Sequence, residues 1–354
     1  MALTKVKPSN VDDRIFGRRN LVINGDMRVA QRGTSTTGIS SSGYYSVDRM
    51  RHAGSSLATS RHTQEQSTDA PAGFGYSLKH TVTTAEGAVN ADDNFYPLNY
   101  RIEAQDLKRI GFATSSAQKL TVSFHIKSSV TGTYVLGLYL PDSQRAQGRT
   151  YTINSANTWE YKTLTFAAGT TASDYVNLDN GTGLDMYFCG GAGSQFTTGT
   201  LPQTWSAYAN ADFLAGQTAQ LQNTVNSTWQ ITGFQVEAGD TATPFEYLNM
   251  GEQLELCKRY YQLNTPNVGR SNSTTSVRCS VTGTTEMCKV PVPGLKDGTN
   301  KIEQYAVATR NITDIINASG YGTLGGLSDV TVSTTTSGVP HALYGGAIEL
   351  DAEL

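Results

Sequence analysis

The clearest alternation in the chain is "LTVSFHIKSS" at 120–129. Leu120, Val122, Phe124 and Ile126 fall on one side, and Thr121, Ser123, His125 and Lys127 on the other. A period of two, rich in β-branched and aromatic residues, predicts a strand buried on one face. "GTYVLGLYLP" (132–141) repeats it with Tyr134, Leu136, Leu138 and Leu140. "RTYTINSANTWEYKTLTFA" (149–167) reads as two strands about a Ser-Ala-Asn turn. "STWQITGFQVEAG" (227–239) carries Trp229, Ile231, Phe234 and Val236, and Gly233 shifts its alternation as a bulge does. Strands at this spacing, with no helical pattern between them, predict an antiparallel sandwich or jelly roll. Between 168 and 226 only 184–189 reads as a core strand; the rest is loop-rich and predicts a rim, where binding residues gather.

The pattern changes in "NMGEQLELCKRYY" (249–261). Asn249 suits an N-cap, Glu252 follows at capping-box spacing, and Lys258-Arg259 fall late, where they complement the helix dipole. Leu254, Cys257 and Tyr261 form an i, i+3, i+7 stripe, so a helix of about three turns is expected, ended by Pro266. The predicted organisation is an arm at 1–19, a jelly roll at 20–248, a linking helix at 249–263 and a smaller β-sandwich domain at 264–354. The stripe could meet its copies around a three-fold axis or pack within its own chain.

Composition supports the β reading. Only 16% of the 354 residues are charged, against roughly 25% in ordinary soluble domains, and there are 35 glycines and 18 tyrosines. A net charge of −3 offers no basic footprint for nucleic acid. No apolar run approaches a membrane span, and "MALTKVKPSNVDDRIF" has neither the apolar core nor the cleavage site of a secretory signal, so synthesis in a cytosol is expected. The four cysteines form no metal motif, and with five scattered histidines neither a metal site nor a cofactor is expected. In "TSVRCSVTGTTEMCKVPVP" a four-residue loop would set Cys279 opposite Cys288, favoured as two small buried hydrophobes over a disulfide.

Several phrases resemble bacteriophage tail-fibre and appendage proteins that carry a carbohydrate-binding-module-like jelly roll. They are "NLVINGDMRVAQRGT" (20–34), "YYSVDRM" (44–50), "KLTVSFHIKSSVTGTY" (119–134), "YTINSANTWEYKTLTF" (151–166), "ITGFQVEAGDTATPFEY" (231–247), "GEQLELCKRYY" (251–261) and "AIELDAEL" (347–354). They occur in the family's order, while 268–346 matches only in texture. The resemblance implies a virion structural protein, commonly a homotrimer, assembled in the host cytoplasm. It implies attachment to other virion proteins through the arm (Arg14, Ile15, Phe16 and Arg18) and contact with a host-surface glycan. Where the family usually has Trp after "DR", this chain has Met50. The alternative is a capsid-surface decoration, cement or head-fibre protein using the same jelly roll for protein contacts.

For chemistry, a glycan-cleaving enzyme needs two carboxylates at roughly 5–10 Å. Asp92-Asp93, Asp179, Asp185 and Asp212 are too generic to specify such a pair, and no nucleophile, phosphate-loop or metalloprotease motif occurs. A non-enzyme is expected. Sugar binding asks instead for aromatic faces and loop polar groups. Trp159 and Trp229 sit in strand sequence and are expected in the core. Trp205 and Tyr208, in a loop, are the preferred sugar contacts, with Tyr44 and Tyr45 behind them. Asp48 is expected to pair with Arg32 or Arg49.

Overall fold

The alternating segments fold as strands in a computed structural model that describes residues 18–87, 89–264, 270–271, 276–282, 292–295, 301–304, 309–311, 327–333, 341–344 and 348–354. Two units form, Met1–Asn249 and Met250–Leu354. The first begins with β1 (Ser35–Ile39), β2 (Gly43–Tyr44), β3 (Arg51–Ser55), β4 (Arg61–Ser67), β5 (Ser77–Thr84), β6 (Asn94–Glu103) and β7 (Leu120–Ser128). It continues with β8 (Gly132–Leu140), β9 (Arg145–Ile153), β10 (Glu160–Phe166), β11 (Thr182–Phe188), β12 (Gly191–Ala192), β13 (Ser206–Ala207) and β14 (Thr228–Ala238).

They make two antiparallel sheets, a six-stranded one in the order β1-β4-β5-β14-β7-β10 and an eight-stranded one in the order β13-β9-β8-β11-β6-β3-β2, with β12 on β6. The chain is an all-β sandwich of jelly-roll type. The Ser-Ala-Asn turn carries it from one sheet to the other, since β9 pairs with β8 and β10 with β7. At Gly233, φ +60°, the register of β14 against β7 shifts between Thr232 and Gln235. Glycine tolerates this left-handed conformation without the Cβ clash other residues meet.

The alternation of β7 puts Phe124 into the core, edge-on to Phe188 (5.2 Å) and Tyr151 (5.3 Å) of the opposite sheet. Trp229 and Phe234 of β14 pack on Phe188 from the same side, so an aromatic layer locks the sheets together. Met50 is fully buried in this core. Asp48, also buried, accepts from the Gln31 backbone N–H (2.9 Å) and lies 4.0 Å from Arg32. Arg49 donates to the Arg101 carbonyl (2.6 Å).

One end of the core is polar. His52, His62 and His80 cluster with ring centroids 5.1 and 5.4 Å apart, against Phe95 and beside Gln64.

The start and finish of the sandwich are tied together. Glu246 accepts from the backbone N–H groups of Arg19 (3.2 Å) and Asn20 (2.8 Å), and Arg28 donates to the Leu248 carbonyl (2.5 Å). Arg109, in the short helical segment Ala104–Ile110, donates to the carbonyls of Arg18 and Arg19. Arg18 is thus held on the sandwich by its backbone, with its Nε donating to the Asn20 carbonyl (2.8 Å). Arg14, Ile15 and Phe16 lie outside the described residues.

In the second unit a helix, Met250–Lys258, is closed at its basic end by Lys258 pairing with Glu255 (2.7 Å). Beyond it come β15 (Tyr261–Asn264), β16 (Arg270–Ser271), β17 (Ser276–Thr282), β18 (Val292–Leu295) and β19 (Lys301–Gln304). β20 (Thr309–Asn311), β21 (Leu327–Ser333), β22 (His341–Tyr344) and β23 (Ile348–Asp351) follow. The helix is shorter than expected, because Tyr261 starts β15 opposite Asp351. Two adjacent tyrosines favour that pairing over another helical turn. Cys257 and Tyr261 are buried within the single chain and Leu254 is half-buried. β17 pairs with β21, placing Cys279 opposite Val330; Cys288, the partner expected for Cys279, lies outside the described residues.

Candidate functional site

The outward positions of the eight-stranded sheet gather a polar and aromatic constellation. On β6, Leu98, Tyr100 and Ile102 point into the core, which turns Asn99 and Arg101 to the other face. On β11, Leu184, Met186 and Phe188 do the same for Asp185 and Tyr187. Register then aligns Arg51 with Asn99, Asn99 with Tyr187, Arg101 with Asp185, and Asp185 with Tyr139 of β8.

Asp185 and Asn99 form a buried floor. The Asp185 carboxylate accepts from the Tyr187 hydroxyl (2.9 Å) and from Asn99 Nδ2, and lies 3.4 Å from Arg101 Nε. Arg51 donates to Asn99 Oδ1 (2.7 Å). Burial pushes the Asp185 carboxyl above the usual carboxylate range, against the pull of Arg101 and its hydrogen bonds. Burial, then the charge on Arg101, lowers the pKa of Arg51. Burial and the Asp185 charge raise the Tyr187 phenol, so it stays a donor. Two guanidiniums thus face one carboxylate, and half-exposed Arg51, Arg101, Tyr187 and Tyr139 form the accessible surface above.

The loop 191–217 bounds this trough. It lays Leu201 and Phe213 across β8 and β9 so closely that a Cβ at Gly137 would lie 2.8 Å from the Phe213 ring, and one at Gly148 2.5 Å from Leu201. The loop-rich segment thus packs over β8 and β9 instead of standing at a rim. At its edge Tyr208, 38% exposed, packs edge-on against Tyr139 at 5.3 Å. At the opposite end Tyr44 pairs in register with Arg51 and stacks on Arg32 (5.3 Å). From β2 to β8 the row crosses five adjacent strands, roughly 19 Å at the usual strand spacing.

Of the four preferred sugar contacts, Tyr208 and Tyr44 therefore flank one face. Trp205 and Tyr45 do not. Trp205 is 6% exposed and edge-on to Phe112 in the core, because the pairing of Ser206 with Ala146 and a bond from Arg145 to its carbonyl (2.7 Å) draw it inward. The Tyr45 hydroxyl is bonded to the Ser41 carbonyl (2.8 Å), with its ring near His52. The tryptophan expectation is half inverted: Trp229 is core, but Trp159 lies outside it, donating to Asp69 (3.2 Å) beneath Lys127. Arg51, Asn99, Arg101, Asp185, Tyr187 and Tyr139 were not anticipated. Their signal was polar or phenolic residues at alternate positions of otherwise apolar strands.

Other carboxylates hold turns. Asp93 accepts from the Asn90 N–H (2.6 Å), Asp179 from Gly181 (2.8 Å) and Asp212 from Thr200 (2.8 Å). A serine–histidine pair exists, Ser60 Oγ 2.7 Å from His62 Nε2, but Ser60 is buried and His62 Nδ1 has no partner to orient it. Burial lowers the pKa of His62 to about 4, making it a weak base at neutral pH. Among the described residues no group of three His, Cys, Asp or Glu is placed to hold a metal.

No family model matches the chain, and no curated protein matches it. Among solved structures the chain is similar to the enzymatically active domain of tailspike protein 4 of bacteriophage CBA120, at 14% identity and TM-score 0.32 over 62% of this chain. It spans 21% of that tailspike chain. It is also similar to the family 11 carbohydrate-binding module of cellulase Lic26A-Cel5E of Clostridium thermocellum, at 11% identity and TM-score 0.28 over 64% of this chain and 97% of the module. The tandem CBM22-1–CBM22-2 domain of Paenibacillus barcinonensis Xyn10C matches at 9% identity and TM-score 0.30, over 96% and 99%.

Proposed function

We propose that the chain is a non-enzymatic glycan-recognition protein of a phage particle, reading a host-surface sugar with the outer face of its eight-stranded sheet. The observation that carries this is the single row of Arg51, Asn99, Arg101, Asp185, Tyr187 and Tyr139 flanked by Tyr208. Phenol rings supply flat apolar surfaces for the carbon faces of a pyranose, while guanidinium, amide and carboxylate groups at fixed spacing bond its hydroxyls. With two guanidiniums against one carboxylate, the face favours a sugar bearing an acidic substituent. Within this row only Asp185 is a carboxylate, whereas hydrolysis uses a pair. Placement in a virion, attachment through residues 1–19 and a trimeric state follow from the resemblance of the sequence phrases, and belong to the same proposal.

The test is binding of the full chain to an array of bacterial surface polysaccharides, repeated with Arg101→Ala and Tyr208→Ala. A specific hit weakened about tenfold or more by both variants supports the reading. A hit that neither variant weakens, or no hit at all, would overturn it.

A further inference from the structure

The opposite face of the sandwich carries a second aromatic site. Outward from the six-stranded sheet, a groove of about 370 Å³ is walled by Phe74, Tyr161, Phe245 and Tyr247, with Ser123 and His125 of β7 on its floor. Phe74, Phe245 and Tyr247 interlock with centroids 5.0–5.7 Å apart, and His125 bridges Phe74 (5.3 Å) to Tyr161 (4.9 Å). Tyr161 and Tyr247, at 52% and 58%, are the two most exposed large hydrophobic side chains among the described residues, and both line this one groove. Apolar surface gathered in this way marks a contact site more often than a chance exposure.

Three features point to a ligand. The floor excludes a side chain at Gly233, where a Cβ would lie 2.6 Å from the Phe74 ring. The half-buried His125 imidazole packs against both rings, and its Nδ1, buried beside Gly233, finds no hydrogen-bond partner. A ligand hydroxyl would meet the imidazole at its other nitrogen, Nε2. No lining residue is an acid, lysine or arginine.

We propose that this groove binds a neutral pyranose-containing glycan, one ring face lying on Tyr161 or Tyr247 and its hydroxyls meeting His125 and Ser123. Aromatic walls above a floor of hydroxyl and imidazole match the two-sided character of a sugar ring. The volume falls in the small-ligand range of about 300–1,000 Å³. A second copy of the chain would need roughly 800 Å² of complementary surface per partner, which a groove this size does not supply alone. The site is independent of the Arg51–Tyr208 face and differs from it in charge, so the two faces select different sugars.

The experiment titrates the full chain with cellotriose, maltotriose and chitotriose by calorimetry, alongside Tyr161→Ala, Tyr247→Ala and Arg101→Ala. Both tyrosines are exposed, so their variants keep the fold, checked by circular dichroism. Expected is binding of at least one trisaccharide, weakened about tenfold by each tyrosine variant and unchanged by Arg101→Ala. Loss on Arg101→Ala with both tyrosine variants intact would overturn the second site while leaving the first. Absence of binding to all three sugars would also overturn it. So would self-association in sedimentation velocity that Tyr161→Ala or Tyr247→Ala abolishes, since that assigns the groove to a copy of the chain.

Discussion

Arg101 and Asp185 stand at directly opposed positions of β6 and β11, Nε to Oδ2 3.4 Å, on a floor where the carboxylate is 4% exposed. Removing the guanidinium leaves a buried charge poorly compensated, so Arg101→Ala should cost roughly 3 kcal/mol at pH 7 in urea unfolding. The folded pKa of Asp185 is already raised by burial, and losing Arg101 raises it further. A raised acid stabilises at low pH and loses that contribution as pH climbs through its folded pKa. The deficit of Arg101→Ala should therefore shrink towards pH 3, and adding Asp185→Asn should recover most of it at pH 7. An equal deficit at both pH values would refute this account.

The histidine cluster predicts acid sensitivity of the opposite origin. Burial lowers His62 to about 4 and His52 to about 3, both below the free value of 6.5, and pushes His80 well down too. The unfolded chain then takes up protons first as pH falls. Stability should be full above pH 6.5 and decline between there and pH 4, by roughly 3 kcal/mol for His62 alone. Urea midpoints at pH 7, 5.5 and 4 test this; a flat profile would mean the cluster is not held neutral.

Gly233→Ala should destabilise by about 2 kcal/mol, combining left-handed backbone strain with contact against the Phe74 ring. The thermal midpoint reads it out. A neutral or stabilising result would show that Phe74 moves aside freely.

Met50→Ala and Trp205→Ala should each cost roughly 3–4 kcal/mol, since both side chains fill the core. Glycan affinity per folded molecule should be unchanged in both. Loss of affinity in a still-folded Trp205→Ala protein would restore the indole as a sugar contact.

How far the sequence disclosed this architecture varied with what each strand buries. β7, β8 and β14 were legible because their inward residues are uniformly apolar. β4 was not: its inward residues are His62 and Gln64, so "RHTQEQS" has no hydrophobic period, though both side chains are buried. Three histidines that look scattered along the chain meet only after β3, β4 and β5 converge. The site suffered in the same way. Aromatic type in a loop pointed to Trp205, but loop residues can fold inward, whereas the outer face is defined by register between strands distant in sequence. Tyr161 shows the reverse case, an aromatic in strand sequence that faces out because it stands in register with outward-facing His125.

The clasp between Arg19-Asn20 and Glu246 has a mechanical consequence. Because the chain enters and leaves the sandwich at one place, a pull applied between Arg18 and Asn249 loads those few bonds first. The sandwich is then strained at this seam before its sheets are, so its binding faces keep their shape until the clasp opens.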